Sequence, residues 1–334
     1  MDLESLNAWL AERNLLGFWN LNIPTHKDPV SSLKAHLWKG KDLLQGLEYA
    51  GETIGMGDSE RRTVALRNPA LKVGTTRTIQ LSLQLVKPGE IAKAHRHNPS
   101  AIRFVVKAAP GAYTVVEGER FPMEEGDLIT TPNWTWHDHY NGSNEPVIWL
   151  DGLDAHLVNY LEVWSFESFN RDQQPQERPA NYSPNRYGFA RPSWLGESNV
   201  PPPFCYKWRD TYPGLEALRQ SAGDPFDGIL LRYTNPLNHG YTLPTFSCEI
   251  QLLRPEEETR AHRHNSSAIY YVFTGSGCTE VGNESFQWEQ GDVFLVPPWH
   301  WHRHKNPNRE DTILFSMNDR PMLEALALYR EEAK

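Results

Sequence analysis

AHRHNPSAIRF, residues 94–104, sets His95 and His97 one residue apart and Arg103 six residues after the second histidine. On a β-strand alternate side chains share a face, so both imidazoles can aim into one cavity. The chain then repeats the stretch. AHRHNSSAIYY, residues 261–271, returns the pair as His262 and His264, with Tyr270 where Arg103 stood. The match extends outward on both sides. QLVKPGEIAKAHRHN (84–98) parallels QLLRPEEETRAHRHN (251–265), and EEGDLITTPNWTWHDHYN (124–141) parallels EQGDVFLVPPWHWHRHKN (289–306). Gln84 and Gln251 each precede the first histidine of their copy by 11 residues. The gap from the second histidine to the third is 40 residues in one copy (His97 to His137) and 38 in the other (His264 to His302). Two copies of one β-rich unit therefore stand in tandem.

The flanking sequence agrees. In TIQLSLQLV (78–86), Ile79, Leu81, Leu83 and Leu85 alternate with Gln80, Ser82 and Gln84, the period of a strand. Leu3, Leu6, Trp9 and Leu10 recur at helical spacing behind Asp2, a capping residue. Between residues 170 and 204 there are seven prolines, three of them consecutive. Such a segment resists helix and central strand, which places the connection between the halves there. The resulting layout is a helical and irregular segment at 1–60, a first β unit at 61–169, a Pro-rich linker at 170–226, a second β unit at 227–320 and a terminal helix at 321–334. Met322, Leu326 and Tyr329 would line one side of that last helix.

Composition narrows the partners. A net charge of −9 over 334 residues argues against nucleic acid or an anionic membrane, although one local arginine can still hold a small anion. Three lone cysteines without a CxxC read as free thiols of a reducing compartment. The acidic start, MDLESLNAWLAERN, is unlike a secretory leader. No apolar run approaches the roughly 20 residues of a membrane span. The expectation is a soluble, cytoplasmic protein.

A lone HxH is more often a pair of satisfied structural histidines than a metal site. Here a third histidine follows in the pattern G-x5-P-x-W-x2-H-x3-N, running from Gly126 through Pro132 and Trp134 to His137 and Asn141. His139 shares the face of His137 by the same parity. Three imidazoles around a cation leave coordination positions open, and imidazole suits iron, copper, nickel and zinc.

The pattern G-x5-H-x-H (Gly89, His95, His97) followed by the second motif resembles the cupin superfamily of small β-barrels. Two copies imply an all-β bicupin: two tandem double-stranded β-helix, or jelly-roll, barrels with flanking helices. HRHNPSAIRF, TPNWTWHDHYN and WLDGLD closely resemble the gentisate 1,2-dioxygenase family. That family includes salicylate, substituted-salicylate and 1-hydroxy-2-naphthoate dioxygenases. The resemblance covers roughly residues 60–330. It implies a non-haem Fe(II) on His95, His97 and His137, with O2 as co-substrate and a small aromatic hydroxy acid as substrate. The ring would open between the carbons bearing carboxylate and hydroxyl. It also implies a homotetramer. Many cupins add a glutamate ligand shortly after HxH; here Arg103 stands instead, so a three-histidine site would keep the full charge of its cation and attract an anionic chelator.

The resemblance also assigns roles. Arg103 would pair with the substrate carboxylate or steady charge developing on dioxygen, which a planar guanidinium does better than lysine. His139 would act as general base or would only orient His137. Gln84 would contact substrate or satisfy backbone groups. Asp151 would bond a ring 5-hydroxyl or orient a histidine. In the second half His262, His264 and His302 can hold a second metal. Tyr270 and Ser316 replace Arg103 and Asp151 there, so catalysis is expected in the first barrel alone. Residues 107–110 (KAAP) depart from the glycine-rich turn of the family. Two other classes compete: a cupin isomerase or decarboxylase on another metal, and a non-enzymatic binding or storage bicupin.

Overall fold

A computed structural model describes residues 1–55, 62–188 and 191–334. It divides into two units, Met1–Val30 and Ser31–Lys334. The first carries the helix Leu3–Ala11, which starts where the Asp2 carboxylate accepts the Ser5 N–H at 2.7 Å. None of that helix is buried. No helix among the described residues is long and apolar enough to cross a membrane.

In the second unit the alternating segments pair into four antiparallel sheets. One six-stranded sheet runs in the order Phe204–Tyr206, Leu128–Thr131, Ala101–Lys107, Val147–Leu153, Gln80–Val86, Arg62–Ala65. Its partner in the first barrel orders Phe166–Ser168, Ile91–His97, His137–Asn141, Ala112–Val116, Glu119–Pro122. The second barrel repeats both. Its six-stranded sheet is His36–Trp38, Val293–Val296, Ala268–Thr274, Thr312–Asn318, Ser247–Leu253, Ile229–Arg232. Its five-stranded sheet is Glu284–Glu289, Ser276–Val281, His302–Lys305, His262–His264, Glu331–Ala333. These are two tandem jelly-roll barrels, as the resemblance implied.

The alternation of strand Gln80–Val86 separates two interiors rather than core from solvent. Leu81, Leu83 and Leu85 join Phe104 and Leu150 of the first barrel and Ile250, Leu252 and Phe315 of the second in one cluster between the six-stranded sheets. Phe104 and Phe315 stack there with centroids 4.2 Å apart. Gln84 points the other way and is still only 1% exposed. Close approach of the sheets needs Gly152, where a Cβ would run into the side chain of Met317. Two buried carboxylates tie the halves reciprocally. Asp154 accepts from the Ser100 N–H (2.8 Å) and from the Thr245 hydroxyl (2.6 Å). Asp319 accepts from the Ser267 N–H (2.7 Å) and from the Thr78 hydroxyl (2.6 Å).

The flanking segments differ from the sequence expectation, and in one shared way. Residues 170–226 are not a bare linker: they hold the helices Tyr182–Tyr187 and Trp208–Leu218 and the strand Phe204–Tyr206. That strand is the edge of the first barrel, whereas the helix after it packs on strand Ile229–Arg232 of the second. Residues 31–55 do the converse. Strand His36–Trp38 is the edge of the second barrel, and helix Gly40–Thr53 packs on strands of the first. Between strand and helix a lysine anchors each arm: Lys207 to Asp127 at 2.6 Å, and Lys39 to Asp292. The repeat thus begins earlier than the histidine motifs and exchanges its arms. The expected boundary at 60–61 lies outside the described residues. The terminal helix is also shorter than expected. It covers Arg320–Ala325, Ala327 turns at φ 56°, and Glu331–Ala333 becomes a strand against the His262–His264 strand. Met322, Leu326 and Tyr329 therefore do not share a helical face.

Candidate metal and substrate site

Strands Ile91–His97 and His137–Asn141 are neighbours, with His95 opposite His137. This pairing and the parity of HxH gather three buried imidazoles. Ring centroids lie 4.2 Å apart for His95–His137, 4.8 Å for His97–His137 and 5.5 Å for His95–His97. Each Nδ1 sits against a backbone carbonyl: His95 with Lys93 (2.7 Å), His97 with Pro99 (2.8 Å), His137 with Thr135 (3.0 Å). Donation from Nδ1 fixes the tautomer and gives Nε2 the lone pair, the arrangement of metal-ligating histidines. One nitrogen from each ring lies within 4.8 Å of the others, a spacing that suits one cation, and the group contains no carboxylate.

The six-stranded sheet supplies the facing wall. Arg103 is 1% exposed; its Nη1 donates to the Thr131 hydroxyl, and its Nε stands 3.9 Å from Asp151 Oδ1. Burial pulls the guanidinium pKa down, and the Asp151 carboxylate opposes that. Asp151 neighbours Arg103 on one side and Ser82 on the other, and Gln84 lies opposite Trp149. Gln84 Nε2 and Trp149 Nε1 are buried donors without a hydrogen-bond partner among the described residues. His139 is 1% exposed, two residues past His137, with Nδ1 2.8 Å from the Thr114 hydroxyl and its ring 4.9 Å from that of Trp149. Three histidines that could hold a metal ion, a buried guanidinium and unspent donors thus share the interior of one barrel.

His262, His264 and His302 gather in the second barrel in the same way. Facing them are Tyr270, stacked on Phe294, and Glu249, at the strand position of Ser82. Ser316 stands opposite Glu249 as Asp151 stands opposite Ser82.

Several contributors escaped the sequence reading. Thr114 and Thr131 hold His139 and Arg103. Trp134 takes φ 58° and donates its N–H to the His97 carbonyl at 2.9 Å; Trp299 does the same at φ 65° toward His264 at 2.7 Å. Left-handed conformation is costly for a tryptophan, and here it recurs at the turn before the third histidine of each triad. Arg96 lies between Trp134 and Trp136, 4.5 Å from each ring, and bonds Glu167 of the strand that covers His95 and His97. Thr114 had a signal: Thr279 repeats it at the offset that relates His139 to His304. The departing turn, residues 107–110, begins four residues beyond Arg103 along an extended strand, about 13 Å away.

Comparison with known proteins agrees with this geometry. The Cupin domain family model matches residues 82–153 and 249–318. A 5-aminosalicylate 1,2-dioxygenase from Comamonas sp. is 42% identical, over 99% of this chain and 90% of that protein. A 1-hydroxy-2-naphthoate 1,2-dioxygenase from Nocardioides sp. (strain KP7) is 38% identical, over 99% and 87%. The crystal structure of a salicylate 1,2-dioxygenase from Pseudoaminobacter salicylatoxidans, as adducts with gentisate, superposes with a TM-score of 0.91 at 30% identity, covering 99% of this chain and 94% of that one. With a triad of buried histidines in a barrel built twice over, and near full-length likeness to these enzymes, the chain belongs to the gentisate 1,2-dioxygenase-like bicupin family of ring-cleaving dioxygenases.

Proposed function

We propose that this chain is an Fe(II)-dependent dioxygenase that opens the ring of gentisate or a related substituted salicylate. Cleavage falls between the carbons bearing the carboxylate and the ortho hydroxyl, and both atoms of dioxygen stay in the product. The observation that carries this reading is a buried guanidinium, Arg103, in the same barrel interior as three gathered imidazoles. His95, His97 and His137 would hold the iron. When bound, Fe(II) supplies a Lewis acid for the carboxylate and ortho oxygen of the acid and a redox partner for dioxygen.

The remaining steps belong to the chain. Arg103, anchored by Thr131, offers its other donors to the acid's carboxylate; in a dry site that pairing selects an anion. His139 accepts the ortho-hydroxyl proton at Nε2, because its Nδ1 is engaged with Thr114. Gln84 and Trp149 direct N–H donors into the cavity. Asp151 balances Arg103 and faces the ring's far substituents. Trp149 and the apolar interior around Val105 and Ile129 exclude water. The neutral ligand set without a carboxylate favours this chemistry over a cupin isomerase or decarboxylase.

The same reading has the chain assembling as a homotetramer in the cytoplasm. Three buried free thiols, Cys205, Cys248 and Cys278, support the reducing setting. Exposed Tyr160, Leu161, Val163, Trp164 and Phe166 support an assembly that covers them. Light scattering during gel filtration reads the mass directly.

The deciding experiment is anaerobic Fe(II) loading followed by oxygen uptake with gentisate, salicylate, 5-aminosalicylate, other 5-substituted salicylates and 1-hydroxy-2-naphthoate. One O2 consumed per molecule of one acid, abolished in His137→Ala and strongly reduced in Arg103→Ala, is the expected result. Bound iron with no uptake for any acid would overturn the assignment.

A further inference from the structure

The second barrel copies more of the metal centre than its three histidines. Ring centroids are 4.2 Å apart for His262–His302, 5.0 Å for His264–His302 and 5.5 Å for His262–His264, each within 0.2 Å of the corresponding pair in the first barrel. His302 Nδ1 lies 3.0 Å from the His300 carbonyl, and His264 Nδ1 lies 2.9 Å from the Ser266 carbonyl. The fourth histidine and its threonine recur as well: His304 Nδ1 is 2.9 Å from the Thr279 hydroxyl. The Nε2 atoms of His262, His302 and His304 are buried without a hydrogen-bond partner among the described residues, with His302 and His304 at 1% and 0% exposure. Burying unpartnered imidazole nitrogens is costly, and a cation removes the cost.

The surrounding wall differs from that of the first barrel in its charged groups. His262 and His264 line a cavity of about 460 Å³ together with Asp224, Asp227, Glu249, Glu331 and Glu332, the last held by Arg263 at 2.6 Å, and with two arginines, Arg232 and Arg320. Both arginines are already paired. Arg232 holds Glu249 at 2.9 Å; Arg320 holds Glu324 at 2.7 Å and Glu331 at 3.3 Å. Tyr270 offers a neutral phenol where the first barrel has a guanidinium. With both of its arginines already paired, this wall offers an arylcarboxylate no counter-charge, while the imidazoles stay open to a divalent cation.

We propose that the second barrel holds a divalent transition-metal ion on His262, His264 and His302, in an acidic cavity that excludes the acid substrate. This centre is a second metal site of different ligand selectivity, and it does not depend on the reaction proposed for the first. Its outer wall is the strand Glu331–Ala333, which pairs with the strand bearing His262 and His264, so the ion also pins the end of the chain.

The test uses Co(II) alone as the probe, on full-length apoprotein, with metal counted by elemental analysis after dialysis. The expected result is two Co(II) per wild-type chain and one in His302→Ala, His302→Gln and His137→Ala. Gentisate should leave the visible ligand-field bands of the His137→Ala protein, which retains only the second site, unchanged. One Co(II) per wild-type chain that is retained in His302→Ala and His302→Gln overturns the proposal. A gentisate-induced band shift in the His137→Ala protein overturns the exclusion of the acid. Failure of the dioxygenase reading would show instead as absent oxygen uptake by the Fe(II)-loaded chain, with the Co(II) count unchanged.

Discussion

At the scale of single residues, Arg103 and Thr114 make the sharpest claims. Arg103 is a fork fixed at one end by Thr131, so lysine keeps its charge and loses its geometry. Arg103→Lys is expected to lower kcat/KM by on the order of a hundredfold, corresponding to about 2–3 kcal/mol of charge-assisted hydrogen bonding. Steady-state oxygen uptake across an acid series measures it, and equal activity of the lysine variant would remove the bidentate role. Thr114 acts through His139. Thr114→Ala is expected to cost roughly tenfold or more in kcat and to displace the acid limb of the pH–rate profile, with Thr114→Ser restoring both. A uniform loss with an unchanged profile would make Thr114 structural only. The histidines were legible because HxH parity survives folding into any strand. Thr131 was not, since it matters only through the strand that comes to lie beside it, and Thr114 showed only as a repeat of Thr279. Trp134 was legible as part of a motif, but its left-handed backbone was not.

At the scale of elements, the ends of the repeats explain what the sequence hid. The segment 321–334 has helical periodicity in its first half. The strand Glu331–Ala333 gains instead from backbone pairing with the histidine strand, which no local propensity reports. Its counterpart Phe166–Ser168 covers His95 and His97 in the same manner. The buried carboxylates before these segments carry a pH signature. Burial raises both Asp154 and Asp319 to about 6, against an ordinary value near 3.8. A raised folded-state value means their contribution to stability is fullest below about pH 4 and falls as pH rises through about 6. The double substitution Asp154→Asn and Asp319→Asn keeps an oxygen acceptor for each Ser N–H and abolishes the titration. Its melting temperature relative to wild type is therefore expected to rise between pH 4.5 and pH 7. A difference independent of pH would show that these carboxylates are not titrating in that window. The apoprotein's half-buried His262 and His264 and buried His304, lowered to about 3, 4 and 3, act in the opposite sense on both proteins and cancel in the comparison.

At the scale of the whole unit from Ser31 to Lys334, the largest apolar cluster is shared by both barrels. Phe315 packs on Phe104 across the joint. Phe315→Ala is expected to cost about 3–5 kcal/mol and to lower one cooperative transition rather than melt the second barrel alone. Calorimetry decides it: two resolved transitions, with the first barrel's unmoved, would contradict a shared core. The tandem repeat made the two barrels legible, because duplicated spacing is independent of packing. The crossing of the arms was not, since strand pairing between distant segments leaves little local trace.

Those arms have a consequence for ancestry. Thr78 with Asp319 and Thr245 with Asp154, Lys39 with Asp292 and Lys207 with Asp127, are the mirrored contacts of a self-complementary interface. Two identical ancestors that traded edge strands would have made these same bonds before any peptide joined them. The link near residue 197 is then a late convenience of inheritance: once it is cut, each fragment still owns a strand inside the other's barrel.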